Sequence, residues 1–266
     1  MLRYVQPTAY AFTKAAATVA PLLIAVQLVM SVCFALALLR GSVLNAAAFA
    51  VGIIATGSLR AMLRRRFPYS TMRSVSTRHV LLAWGMGSLL ASLPLYISGS
   101  LATRSGSTSP YETLSAATFE GVSALTSCGL TVSTRPDTLD PSIQLYRSGL
   151  EWIGGLGMVM IVGMAMRGQL RRDIQDQSGW SATHHDPAPI TARRVVLVYT
   201  ILTAAAALAF AAAGMPPWQA LNHALTGIST GGFVIPAEGF GNYSSAVKIT
   251  AMVAMTVGAL SVVLLA

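Results

Sequence analysis

The sequence predicts an all-α, polytopic membrane protein in which two short segments dip into the bilayer without crossing it. Three observations carry that prediction. Of 266 residues, 54% are hydrophobic and only 10% are charged, against about 25% charged in soluble domains. A surface so poor in charge is matched to lipid rather than to water. The apolar residues fall into six long runs separated by polar, arginine-bearing linkers. Between the third and fourth runs, and again between the fifth and sixth, stands a short Ser/Thr/Gly-rich segment, with Gly129 of the first and Gly232 of the second 103 positions apart.

The elements follow in order. Pro21–Leu39 is apolar apart from Gln27 and Ser31, and its length suits the roughly 30 Å hydrocarbon core. Charged Arg40 closes it without an obvious small-residue cleavage site, so it reads as an uncleaved helix rather than a signal peptide. After the turn at Gly41-Ser42, Val43–Leu63 is rich in Ala and Gly, as suits a closely packed neighbour. Val80–Ser98 is the third run, followed by a Ser/Thr/Gly linker, Gly99–Pro110. Tyr111–Leu130 is too short and too polar to span. Its first part reads as a short helix and Thr126–Leu130 as small-residue backbone. A polar loop, Thr131–Leu145, leads to the fourth run, Ser148–Met166, which carries Gly154, Gly155, Gly157 and Gly163. Asp173–Thr191 is the most hydrophilic stretch. Val195–Ala213 is the fifth run. Pro216-Pro217 opens the second short segment, Trp218–Phe233, as Pro favours a helix start. Ala246–Ala266 is the sixth. This gives four regions: 1–79, a helix pair with its linker; 80–172 and 193–266, two units of helix, short helix, loop and helix; and 173–192, a polar connection.

The net charge of +9 does not indicate nucleic-acid binding, because the basic residues sit at the ends of apolar runs and form no basic face interleaved with aromatics. They report topology instead. Eleven arginines (60, 64, 65, 66, 73, 78, 167, 171, 172, 193 and 194) fall in linkers on one side, against four (Arg40, Arg104, Arg135 and Arg147) on the other. The positive-inside rule makes the first side cytoplasmic, together with the N-terminus bearing Arg3 and Lys14. This holds only if both short segments enter from outside and return. The two cysteines, Cys33 and Cys128, have neither CxxC spacing nor metal-ligand neighbours, so no disulfide framework or zinc site is expected.

Irregular backbone at membrane depth survives only where it is buried in protein or lines a wet cavity, and an ion selectivity filter is such a place. Thr126, Ser127, Cys128 and Gly129, and Ser229, Thr230, Gly231 and Gly232, have the small side chains and the glycine that inward-turned carbonyls require. Around the 103-residue offset, Ala117/Ala220, Gly129/Gly232, Gly155/Gly258 and Val159/Val262 are identical. Glu120 and His223 fall at equivalent places in the short helices. They read either as groups that tune cation access or as side chains packed behind the loops. Arg147 and Glu151, four apart, read as a local ion pair. The glycines near 155 read as close-packing sites. His184-His185-Asp186 reads as a solvated run rather than a metal site.

The runs VSALTSCGL, YRSGLEWIGGLGMVM, NHALTGISTGGF and RHVLLAWGMGSLLASLPLY resemble the Trk/Ktr/HKT superfamily of potassium uptake proteins over nearly the whole chain. The resemblance implies two helix–pore helix–filter–helix repeats of a pseudo-fourfold cation channel fold, behind an N-terminal helix pair of Trk type. It also implies K⁺ as the transported ion, with glycine at each filter associated with K⁺ preference. The implied partners are membrane lipid, a homodimeric copy and a cytoplasmic nucleotide-binding regulatory subunit that would meet Asp173–Thr191. The implied location is the cell's inner membrane. The family has four such repeats and this sequence resembles the first two, so the chain is expected to be a fragment, a truncated product or a half that pairs with another. Two alternatives stand beside this reading. One is a non-conducting membrane scaffold. The other is an intramembrane enzyme using Glu120, Glu151 or His223, against which no HExxH, GxSxG or paired-Asp motif appears.

Overall fold

A computed structural model describes residues 7–66, 77–178 and 192–265. Over them the chain folds into eight α-helices and a single turn of 3₁₀-helix, Pro136–Thr138. The helices are α1 (Pro7–Leu39), α2 (Val43–Arg66), α3 (Thr77–Arg104), α4 (Leu114–Leu125), α5 (Pro141–Ser178), α6 (Ala192–Ala212), α7 (Pro217–Ile228) and α8 (Ser245–Leu265). The His184-His185-Asp186 run and most of the polar connection lie outside the described residues.

The helices overrun several of the expected boundaries. Pro21 stands inside α1 rather than at its start. The helix α3 continues to Arg104, through half of the expected linker. The helix α5 begins at Pro141, not Ser148, and runs on to Ser178. Polar residues do not stop a helix when the backbone bonds themselves continue, so hydropathy marks the apolar part of these helices and not their ends. Four of the described helices are long and apolar enough to cross a membrane, over Val19–Leu39, Val43–Arg66, Val80–Arg104 and Arg193–Ala212. The helix α8 is apolar over its described side chains, Ser245–Leu260. The helix α5 carries Arg147 and Glu151 in its N-terminal half, both fully enclosed by protein.

Two packed cores share α5. The first joins α1, α2, α3, α4 and the start of α5 around Leu23, Val26, Met30, Phe49, Leu95 and Leu125. The second joins α6, α7 and α8 around Tyr199, Phe210, Ala224 and Ile228. Trp152 of α5 packs against both. Small residues let the helices approach where burial of apolar area gives little drive in lipid. A methyl on Gly52 of α2 would stand 2.7 Å from the Pro94 ring of α3. Two hydroxyls inside α1 and α2 are satisfied locally: Ser31 donates to the Gln27 carbonyl at 2.8 Å and Thr56 to the Gly52 carbonyl at 2.8 Å.

Candidate functional site

The helices α4 and α7 are each twelve residues long, and their bounds differ by the same 103 positions that separate Gly129 from Gly232. Thr113 caps the start of α4 by accepting from the Ala116 amide at 3.2 Å. Pro216 and Pro217 begin α7. Both helices end in the same way. The amides of Thr126, Ser127 and Cys128 donate to the carbonyls of Val122, Ala124 and Ser123. Those of Ser229, Thr230 and Gly231 donate to Leu225, Gly227 and Thr226. Ser127 and Thr230, at matching places, take up left-handed backbone with φ of 52° and 53°. Side chains other than glycine pay about 1–2 kcal/mol for that conformation, so the bonds around them must hold it.

The two loops that follow meet. A methyl on Gly129, whose φ is +74°, would lie 2.6 Å from the Gly232 Cα. The requirement for glycine is therefore doubled at 129. At 232 it is milder: a methyl there would stand 3.5 Å from the Gly129 Cα, in ordinary contact, and φ is not positive. Below the loops lies a cavity of about 180 Å³ bordered by Thr126, Ser127, Ser229 and Thr230, by Gly155 and Met158 of α5, and by Tyr199 of α6. The C-terminal ends of α4 and α7 both border it, and helix C-termini carry partial negative charge that favours cations. The helix α5 and the α8 glycine bring these ends in. Methyls on Gly154 and Gly258 would fall 2.1 Å from the Leu125 carbonyl oxygen and 2.3 Å from that of Ile228. The structural partner of Gly258 is thus Gly154, not Gly155. Gly155 instead faces the Tyr199 hydroxyl and Ser229, and Gly157 faces Trp84.

Behind the first loop lies a buried charge network. Glu120 is fully enclosed and accepts from Arg147 Nε at 2.6 Å, from Thr131 Oγ1 at 2.8 Å, from the Val132 amide at 3.0 Å and from the Tyr111 hydroxyl at 3.2 Å. Arg147 also donates to Thr131 Oγ1 at 2.9 Å and stacks on the Phe233 ring 4.1 Å away. The expected Arg147–Glu151 pair is therefore replaced by Arg147–Glu120. The reason is that α4 packs against α5 and delivers a carboxylate to Arg147, and a buried charge takes the partner that satisfies most of its donors. Arg147 is also removed from the outer-loop charges.

Glu151 faces the second loop. Its Oε1 accepts from the Phe233 amide at 3.4 Å, its main-chain oxygen accepts from Ser127 Oγ at 2.7 Å, and its Oε2 has no hydrogen-bond partner. His223, equivalent to Glu120 in sequence, does not touch the loops. Its Nδ1 pairs with the Gln219 carbonyl at 2.8 Å, and its ring packs among Phe210, Phe240 and Tyr243.

The profile of the TrkH cation transport protein family matches residues 44–265. The chain belongs to this family. It is 30% identical over 197 residues to the Trk system potassium uptake protein TrkI of Halomonas elongata, covering 72% of this chain and 38% of that protein. It is 33% identical over 176 residues to TrkH of the same organism, covering 62% and 34%. Its fold superposes on the crystal structure of the potassium transporter TrkH from Vibrio parahaemolyticus with a TM-score of 0.72 at 26% identity, covering 91% of this chain and 48% of that one. The chain thus spans a little over a third of the length of these curated relatives. The TrkH family is one of cation transport proteins and not of enzymes, and family and apolar helices together make this a membrane protein.

In this TrkH-family chain, of the eight loop residues named from sequence, Thr126, Ser127, Ser229 and Thr230 border the cavity, Cys128, Gly129 and Gly232 lie where the two loops meet, and Gly231 faces the Glu151 carboxyl group. Arg147 and Glu151 were visible as charges in an apolar run. Their partners, 27 and 82 residues away, were not. Of the acid/base groups of the enzyme alternative, Glu120 is engaged with Arg147, Glu151 faces the Phe233 amide, and His223 lies in its aromatic cage. Among the described residues no group of three His, Cys, Asp or Glu side chains is placed to hold a metal.

Proposed function

We propose that this chain forms part of a potassium uptake pathway, with α4 and α7 as pore helices and residues 126–129 and 229–232 as two segments of a carbonyl-lined selectivity filter. The observation that carries the reading is the contact of Gly129 with Gly232 above a cavity into which both short helices point their C-terminal ends. A dehydrated K⁺ needs oxygens from several directions, and two loops supply half of a ring. Two further segments, related to these around a pseudo-fourfold axis, would complete it. In this reading 80–172 and 193–266 are successive pore repeats, preceded by a helix pair within 1–79 and joined by a cytoplasmic connection, 173–192.

The names of the relatives support K⁺ as cargo. The arginine asymmetry supports an N-terminus on the cytoplasmic side of the inner membrane, with both short helices entering from outside. A homodimer in the lipid, with a cytoplasmic nucleotide-binding regulatory subunit at the 173–192 connection, completes the proposed assembly. The test is cation flux through the full-length protein in proteoliposomes. Gly129→Ser should lower the preference for K⁺ over Na⁺ about tenfold or more, equivalent to about 1.4 kcal/mol of discrimination. An unchanged preference overturns the filter assignment.

A further inference from the structure

We infer that Glu151 is a positioning residue that sets the spacing of the two loops, holding the first through its main-chain oxygen and the second through its carboxylate. The inference rests on the reading of those loops as filter segments. Three independent contacts converge on this one residue. Ser127 Oγ donates to the Glu151 carbonyl at 2.7 Å, in the middle of α5. That carbonyl sits one residue before the Trp152 that packs against both cores. The Phe233 amide donates to Oε1 at 3.4 Å. Finally, a methyl on Gly231 would stand 2.5 Å from the carboxyl carbon of Glu151 and 2.6 Å from each of its oxygens. Gly231 is therefore glycine to leave room for this carboxylate beneath the second loop, a reason unrelated to backbone freedom, since its φ is not positive.

The Glu120–Arg147 network bonds residues 131 and 132 after the first loop and reaches the second only by stacking on the Phe233 ring, whereas Glu151 bonds the Phe233 main chain. Glu151 belongs to the unit that carries the first loop, yet its side chain serves the second. Its carboxylate is fully enclosed, and a side chain so costly to bury is retained where a shorter or apolar one would leave the Phe233 amide unpaired. Ser127, the first-loop residue it holds, has left-handed backbone, so the bond to Glu151 fixes a conformation the serine would otherwise leave.

The test uses the full-length protein in proteoliposomes and compares Glu151→Gln, Glu151→Leu, Gly231→Ala and Ser127→Ala. Glu151→Gln keeps an oxygen for the Phe233 amide and should hold the K⁺/Na⁺ ratio within about threefold of wild type, whereas Glu151→Leu should lower it about tenfold. Gly231→Ala should reproduce the leucine variant. Combining Glu151→Leu with Ser127→Ala should cost less than the two effects together, as expected for groups acting on one geometry. Backbone hydrogen exchange provides a readout that does not depend on transport: Glu151→Leu should quicken exchange at Phe233 by about tenfold or more, and Gly85→Ala in α3, where a methyl meets nothing within 4 Å, should not. A leucine variant with wild-type selectivity and wild-type exchange at Phe233 overturns the inference, as does one that only lowers the amount of folded protein. Wild-type protein that passes no K⁺ overturns the transport reading alone, and the exchange comparison then still decides the positioning role.

Discussion

Replacing Arg147 by Met tests the buried charge network. The substitution keeps the length of the apolar stem and removes the guanidinium. Glu120, fully enclosed, then keeps only neutral donors: the Tyr111 hydroxyl, Thr131 Oγ1 and the Val132 amide. Leaving one member of a buried ion pair uncompensated costs about 3–5 kcal/mol, and the lost stacking on Phe233 adds about 1 kcal/mol. At roughly 2–4 °C per kcal/mol for chains of 150–250 residues, the melting temperature of the purified full-length protein should fall by roughly 8–24 °C. Adding Glu120→Gln removes the stranded charge and should recover more than half of that loss, because the pair acts as one unit. Thermal unfolding followed by intrinsic tryptophan fluorescence in detergent measures all three proteins. A single variant that melts within about 2 °C of wild type, or a double variant that loses the sum of the two single losses, refutes the reasoning.

Further outcomes follow from the same contacts. Gly154→Ala and Gly258→Ala should each lower the yield of folded protein sharply, because their methyls fall on the carbonyl oxygens of Leu125 and Ile228. Gly85→Ala in α3, whose methyl meets nothing within 4 Å, should be tolerated and gain up to about 1 kcal/mol of helix stability; equal behaviour of the three, in size-exclusion profiles, would contradict the packing. Cys128 is exposed beside Gly129 while Cys33 is buried, so a small, positively charged thiol reagent added outside should block K⁺ flux in wild type and not in Cys128→Ser. Asp140 is partly buried, which by itself raises its pKa, but hydrogen bonds from Ser142, Ser42 and Asn45 outweigh burial and hold the carboxyl below the ordinary range. A depressed folded pKa contributes stability above the ordinary carboxylate range and loses it as pH falls through and below that range. Acid unfolding should therefore be less steep in Asp140→Asn, and an identical pH profile would count against the link between the α1–α2 turn and the start of α5.

Much of this architecture was legible in the sequence because it is local. The two short helices declare themselves by length, by Pro216-Pro217 and by the small residues that end them. The loop residues stand out in the sequence because they combine small side chains with glycine just after each short helix. What stayed hidden depends on which helices touch. Arg147 and Glu151 are four apart, and helical spacing alone pairs them. Only the packing of α4 and α7 on either flank of α5 sends one charge to Glu120 and the other to Phe233. The match of Gly155 with Gly258 by constant offset failed by one position, because the loops between short helix and next helix differ in length. The equivalence of Glu120 and His223 held for the backbone and not for the surroundings, since the turn after Phe233 returns Phe240 and Tyr243 over His223. Helix ends were missed where polar residues continue a helix beyond its apolar run, as in α3 and α5.

The central claim is that the oxygens around Gly129 and Gly232 bind a dehydrated monovalent cation. Crystals of the full-length protein grown with Rb⁺ or Tl⁺, which scatter anomalously and substitute for K⁺, test it most directly. The account predicts an anomalous peak within coordinating distance of main-chain oxygens from both 126–129 and 229–232. Peaks confined to other parts of the molecule, with the two loops in place and bare, would contradict it.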